Sequence, residues 1–149
     1  MKINFHRDVL KLLDSQKTCV VGSVDEQGVP NMMAMSRPRK IIDLKTLYFS
    51  TNTSSVHVRQ YRANPNAAVY FHKRFPGFKG VLLKGVMDIL MDSDVKKTLW
   101  KKGDEKHYPA GAGDADYCVL RFTVIEGRFY QKKESRDFKA EEFDSGRGR

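Results

Sequence analysis

The run Ser50–Gln60, STNTSSVHVRQ, concentrates groups able to hold an oxyanion. Hydroxyls of Ser50, Thr51, Thr53, Ser54 and Ser55 and the amide of Asn52 precede a short segment carrying His57 and Arg59. A phosphate dianion is held by small donors, by free amides at a helix start and by one or two cations, and this stretch offers all three. A helix beginning near Ser55 turns its unpaired amides toward one point. The same residue types cap ordinary helices, so the run alone leaves both readings open. Upstream, SRPRK adds Arg37, Arg39 and Lys40 from a neighbouring strand.

Other chemistry is sparse. Met32, Met33 and Met35 suit the face of a flat ring, and equally suit a barrel core. The histidines His6, His57, His72 and His107 show no HExxH spacing, and two cysteines are too few for a structural zinc site. Neither GxSxG nor a Walker loop occurs. GAGDAD has the glycines of a dinucleotide fingerprint but no strand-to-helix transition, and reads as a loop. Cys19 and Cys118 lie in apolar runs, TCVVGSV and YCVLRF, and read as free buried thiols of a reducing cytoplasm. No apolar run reaches membrane-spanning length, and the N-terminal stretch lacks the pattern of a signal peptide.

The elements that must position these groups are mostly strands. Phe5, Val9, Leu10, Leu12 and Leu13 mark one face of a short helix. TCVVGSV and VPNMMAMS read as a strand pair across DEQG, and IIDLKTLYFST as a second hairpin around Asp43–Thr46. Asn64-Pro65 ends the short helix after Ser55, and a strand follows. After the FPGFKG turn come a long strand interrupted by Gly85, a helix in DSDVKKTLWKK, a glycine-rich loop and a last long strand in YCVLRFTVIEGRFYQ. Strands in consecutive runs without βαβ alternation predict a mainly β, antiparallel barrel or sandwich. Residues 1–130 read as one domain and 131–149 as a loosely held polar tail.

The net charge is +9, and the tail, with six basic and five acidic residues, carries only +1 of it. The positive body therefore points to an anionic partner, either nucleic acid or a phosphorylated ligand. Tyr48, Phe49, Tyr70 and Phe71 fall in apolar runs and not in a Lys/Arg-interleaved stripe, which disfavours nucleic acid.

The order DEQGVPNMM, YFSTNTSSVHVRQYRANPNAAVYF and GVMDIL resembles the pyridoxamine 5′-phosphate oxidase-like flavoproteins, and GDADYCVLRFTVIEGRFY resembles their general stress protein branch. The resemblance implies a six-stranded antiparallel split β-barrel that binds FMN at the interface of a homodimer. It implies a phosphate cradle at Ser50, Thr51, Asn52, Ser55 and His57. The flavin ring would lie along Met33, Ala34, Met35 and Ser36, with Lys79 and Gly80 facing it from another side. This sequence departs from the true oxidases in having Met33 for an arginine, no lysine at the Pro38 position where they carry one nearby, His57 for a lysine and Gly80 for a glutamine. It also lacks their C-terminal Arg-Leu-x-Asp-Arg motif. The resemblance therefore implies Arg37 or Arg39 as phosphate cation, and an oxidoreductase acting on a small molecule other than vitamin B6. A deazaflavin, or a non-catalytic flavin or heme carrier on the same barrel, is the alternative.

Overall fold

The computed structural model describes residues 5–143. Helix α1 (Phe5–Ser15) leads into β1 (Thr18–Val24), β2 (Pro30–Ser36), β3 (Lys40–Ile42) and β4 (Thr46–Asn52). Helix α2 (Val56–Ala63) separates these from β5 (Asn66–Lys73) and β6 (Lys79–Leu90). Helix α3 (Ser93–Leu99) and a loop precede β7 (Tyr117–Gln131) and β8 (Glu134–Lys139). Every pairing is antiparallel, in the order β2-β1-β5-β6-β7-β4-β3, with β8 also on β7. The sheet does not close, so this is the expected antiparallel split barrel. It has eight strands because the three-residue β3 and the polar β8 join the six.

The long strands β6 and β7 form the spine. One edge of β7 pairs with β6, while the other pairs first with β4 and then with β8. A register shift between Lys84 and Gly85 bends this spine. Gly85 is required there, because a Cβ at this position would fall onto the Thr123 carbonyl oxygen.

Helix α1 buries Phe5, Val9, Leu12 and Leu13, spaced to share one face, against the barrel. Each such aliphatic side chain contributes about 1.5–3 kcal/mol on burial. The Phe5 ring meets Phe129 and Phe138 edge-on at 5.6 and 5.4 Å. Phe138 lies in the segment expected to be a loose tail, and that expectation is corrected as far as Phe143. The alternation in ESRDFK sends Phe138 inward between charged neighbours, and Lys132 makes the turn at a φ of 55°. The last six residues of that call, 144–149, lie outside the described residues.

A second cluster joins Leu99, Tyr108, Tyr117 and Val119, with Trp100 against Tyr117 at 5.2 Å. It fastens the loop after α3 onto the outside of the sheet.

Candidate cofactor cleft

The chain leaving β2 turns a corner, fixed by Arg37 N–H donating to the Lys17 carbonyl and Arg39 N–H to the Tyr48 carbonyl. The corner brings the end of β2 beside β4. Between them lies a cleft of about 330 Å³ lined by Ser36, Arg37, Arg39, Ser50, Asn52, Gly103, Asp104, His107 and Tyr108. That volume falls within the range of small-molecule sites.

The two arginines differ in availability. Arg39 donates twice to Asp104, both at 2.8 Å, and to the Leu99 carbonyl at 3.0 Å. The Lys101 amide also donates to Asp104. Hydrogen bonding from Arg39 holds the Asp104 carboxyl below its ordinary range, against the opposing effect of burial. Arg39 is thus spent on the cleft wall. Arg37 is exposed and has only a 3.5 Å contact with Asp14. Among the described residues lining the cleft, it is the arginine without a close carboxylate partner, beside the Ser36 and Ser50 hydroxyls; Ser50 lies 3.2 Å from the Tyr117 hydroxyl.

The helix start is arranged differently from the expected cradle. Thr51 and His57 share a 3.0 Å hydrogen bond and are both buried. Burial lowers the His57 pKa, so its imidazole is neutral near pH 7. Ser55 sits at the N-cap of α2 without a side-chain capping bond. Asp116 accepts from the Ser54 amide at 2.9 Å and from Asn52 Nδ2 at 3.2 Å, while Asn52 Oδ1 accepts from Tyr108 at 2.7 Å. Gln60 accepts from Ser23 at 2.5 Å, and Tyr61 donates to the Gly22 carbonyl. Those contacts tie α2 to β1.

On β2, Met33 and Ala34 are exposed, whereas Met35 is half-buried against the core opposite Cys19. As an end strand, β2 has one edge with no ladder partner among the described residues. Lys79 and Gly80 are not brought to this cleft. Gly80 pairs with Tyr130 and Ser50 with Val119, which places them roughly 35 Å apart along β7. Tyr70 and Phe78 cover Gly80.

The expected residues Ser36, Arg37, Ser50 and Asn52 therefore meet. Thr51, near the end of β4, joins Ser55 and His57 of the adjoining helix start, Met33–Met35 form the edge strand, and Lys79 and Gly80 a remote strand end. Sequence reasoning missed Asp104, His107 and Tyr108 in the loop after α3, and Asp116. The only local signal was the density of polar and aromatic residues in GDEKHY.

No group of three or more His, Cys, Asp or Glu among the described residues is placed to hold a metal ion. Cys19 and Cys118 are buried free thiols. No described helix is long and apolar enough to cross a membrane.

Open antiparallel barrel, end-strand edge and polar cleft together define the split-barrel class. The chain belongs to the pyridoxamine 5′-phosphate oxidase family, whose model matches residues 5–131. It is similar to a Clostridium acetobutylicum protein related to general stress protein 26 of the pyridoxinephosphate oxidase family. That structure is 35% identical, with 95% of this chain and 99% of the other covered and a TM-score of 0.85. The general stress protein 26 of Bacillus anthracis is 18% identical, with 92% and 99% covered and a TM-score of 0.75. A heme binding protein of Mycobacterium smegmatis shares the fold at 12% identity, with 97% of this chain and 62% of that one covered and a TM-score of 0.78. A comparison with curated proteins finds no match.

Proposed function

We propose that the cleft binds FMN and that the protein is a cytoplasmic, homodimeric flavin-dependent oxidoreductase acting on a small molecule, distinct from the true pyridoxamine phosphate oxidases. The observation that carries this reading is the convergence of Ser36, Arg37, Ser50 and Asn52 on one cleft beside an unpaired strand edge. Arg37 with two hydroxyls is a fitting donor set for a phosphate. Met33–Ser36 would lie along the ring, with the β2 backbone edge presenting donors and acceptors. When bound, the flavin supplies two-electron chemistry, while the protein positions and shields it. Buried thiols are in keeping with a reducing compartment.

Two exposed apolar surfaces support a second copy as partner. Val29, just before β2, and Met32 and Met33 on it are 53%, 74% and 39% exposed, and Phe75 and Phe78 are 84% and 42% exposed beside Lys79. A second copy would bring the Lys79–Gly80 strand end to the cleft that one protomer leaves open. The +9 charge supports an anionic cofactor.

The test is the visible spectrum of the purified protein, followed by titration of stripped protein with FMN and assay with reduced nicotinamides. Flavin absorbance or saturable FMN binding, with turnover of an electron acceptor, is expected. Neither absorbance nor binding would end the proposal. A non-catalytic flavin or heme carrier is the second reading, favoured by the exposed His107 on the cleft wall as a ligand for heme iron. A Soret band shifted by His107→Ala would select it.

A further inference from the structure

The turn into α2 has the amides of a phosphate nest, but it already holds an anion. Asp116 accepts the Ser54 amide through one carboxylate oxygen and Asn52 Nδ2 through the other. Its backbone carbonyl accepts the Thr53 amide at 2.7 Å. Thr53 Oγ1 donates to the Ala115 carbonyl at 3.0 Å, so that hydroxyl is committed as well. Val56, exposed, and His57, buried, open the helix without supplying a cation to the turn. A phosphate there would have to displace the Asp116 carboxylate from the Ser54 amide or face its charge.

We infer that Asp116 is a specificity-determining residue: its carboxylate takes the place of a bound phosphate at the start of α2, and directs the cofactor's phosphate to Arg37 in the neighbouring cleft. This deepens the flavin reading and rests on it for its second half only. Asp116 also holds Asn52 by its amide, leaving Oδ1 turned to Tyr108. One residue thereby closes the nest and sets the wall of the cleft. Asparagine at 116 keeps the acceptor for Ser54 and removes the charge, while alanine empties the nest.

The experiment titrates the intact protein and its Asp116→Asn and Asp116→Ala variants with inorganic phosphate, following backbone amide shifts by NMR at constant ionic strength. Wild type is expected to show no saturable shift at Ser54 and Val56–Val58. Asp116→Ala is expected to acquire one, with affinity at least tenfold above any wild-type response, and Asp116→Asn, which still occupies the Ser54 amide, a weaker one that nonetheless exceeds wild type. Saturable wild-type binding at those amides overturns the inference, as do variants that respond like wild type. Because the probe is phosphate alone, a protein that binds no flavin still gives a decisive result. In a parallel titration, FMN shifts of wild type centred on Ser36 and Ser50 support the redirected phosphate, and shifts centred on Ser54–Val58 overturn it.

Discussion

Replacing Asp104 with Asn tests how the cleft wall is held. Asp104 and Arg39 make a two-pronged ion pair with side chains only 11% and 21% exposed. Asparagine keeps at most one of the two acceptor positions and removes the carboxylate charge that balances the guanidinium, which retains its bond to the Leu99 carbonyl. Breaking a fully buried pair costs about 3–5 kcal/mol, and partial exposure here reduces this to about 2–3 kcal/mol. For a chain of this size that corresponds to a Tm lower by roughly 5–10 °C. The sign of the pH dependence follows from the depressed Asp104 pKa. The contribution is complete above the unfolded-state value near 3.9 and is lost as pH falls through the lower folded value. Urea unfolding of wild type and Asp104→Asn at pH 7, 5 and 3 reads both effects. The difference should be full at pH 7 and 5 and narrower at pH 3. A pH 7 difference below about 0.5 kcal/mol, or one that does not narrow on acidification, would refute the reasoning. The double variant Arg39→Met with Asp104→Leu should recover at least half of the loss, since it leaves no unpaired charge.

Three other outcomes follow from the same structure. Gly85→Ala should destabilise by about 3 kcal/mol or more, because the added methyl falls onto the Thr123 carbonyl, and thermal unfolding measures it. With a folded pKa below 6.5, His57 makes stability greatest above about pH 6.5 and lower as pH falls toward the folded value; this slope should flatten in His57→Gln in urea unfolding between pH 7 and 5. Burial pushes the Cys19 thiol up to about 12 and raises that of Cys118, so a thiol reagent at pH 8 should label neither in the native protein and both after denaturation.

The elements around the cleft were legible wherever local chemistry punctuates the chain. Asn64-Pro65 ended α2, the Asp43–Thr46 turn marked the β3–β4 hairpin, and Gly85 marked the break in β6. The site was legible only in part. STNTSS reads as a cradle because its donors are visible in sequence, whereas their commitments are long-range. Asp116 reaches the turn from 62 positions away, and Asp104 reaches Arg39 from 65. Nothing in GDEKHYPAGAGDAD announces which carboxylate will meet which donor. His57 looked like a cation because its burial against Thr51 depends on the barrel beneath it. The charges of ESRDFK likewise concealed one inward phenylalanine.

The central claim is that Arg37, with Ser36 and Ser50, holds a flavin phosphate. Fluorescence titration of stripped wild type and Arg37→Met with FMN and with riboflavin tests it most directly. Arg37 is exposed, so its replacement should leave thermal unfolding unchanged. Wild type should bind FMN about 10–100-fold more tightly than riboflavin, the worth of one charge-assisted phosphate contact of about 1.5–3 kcal/mol. Arg37→Met should lose most of that preference while keeping its riboflavin affinity. Equal affinity of wild type for the two flavins, an FMN preference untouched in Arg37→Met, or no flavin binding at all would contradict the account.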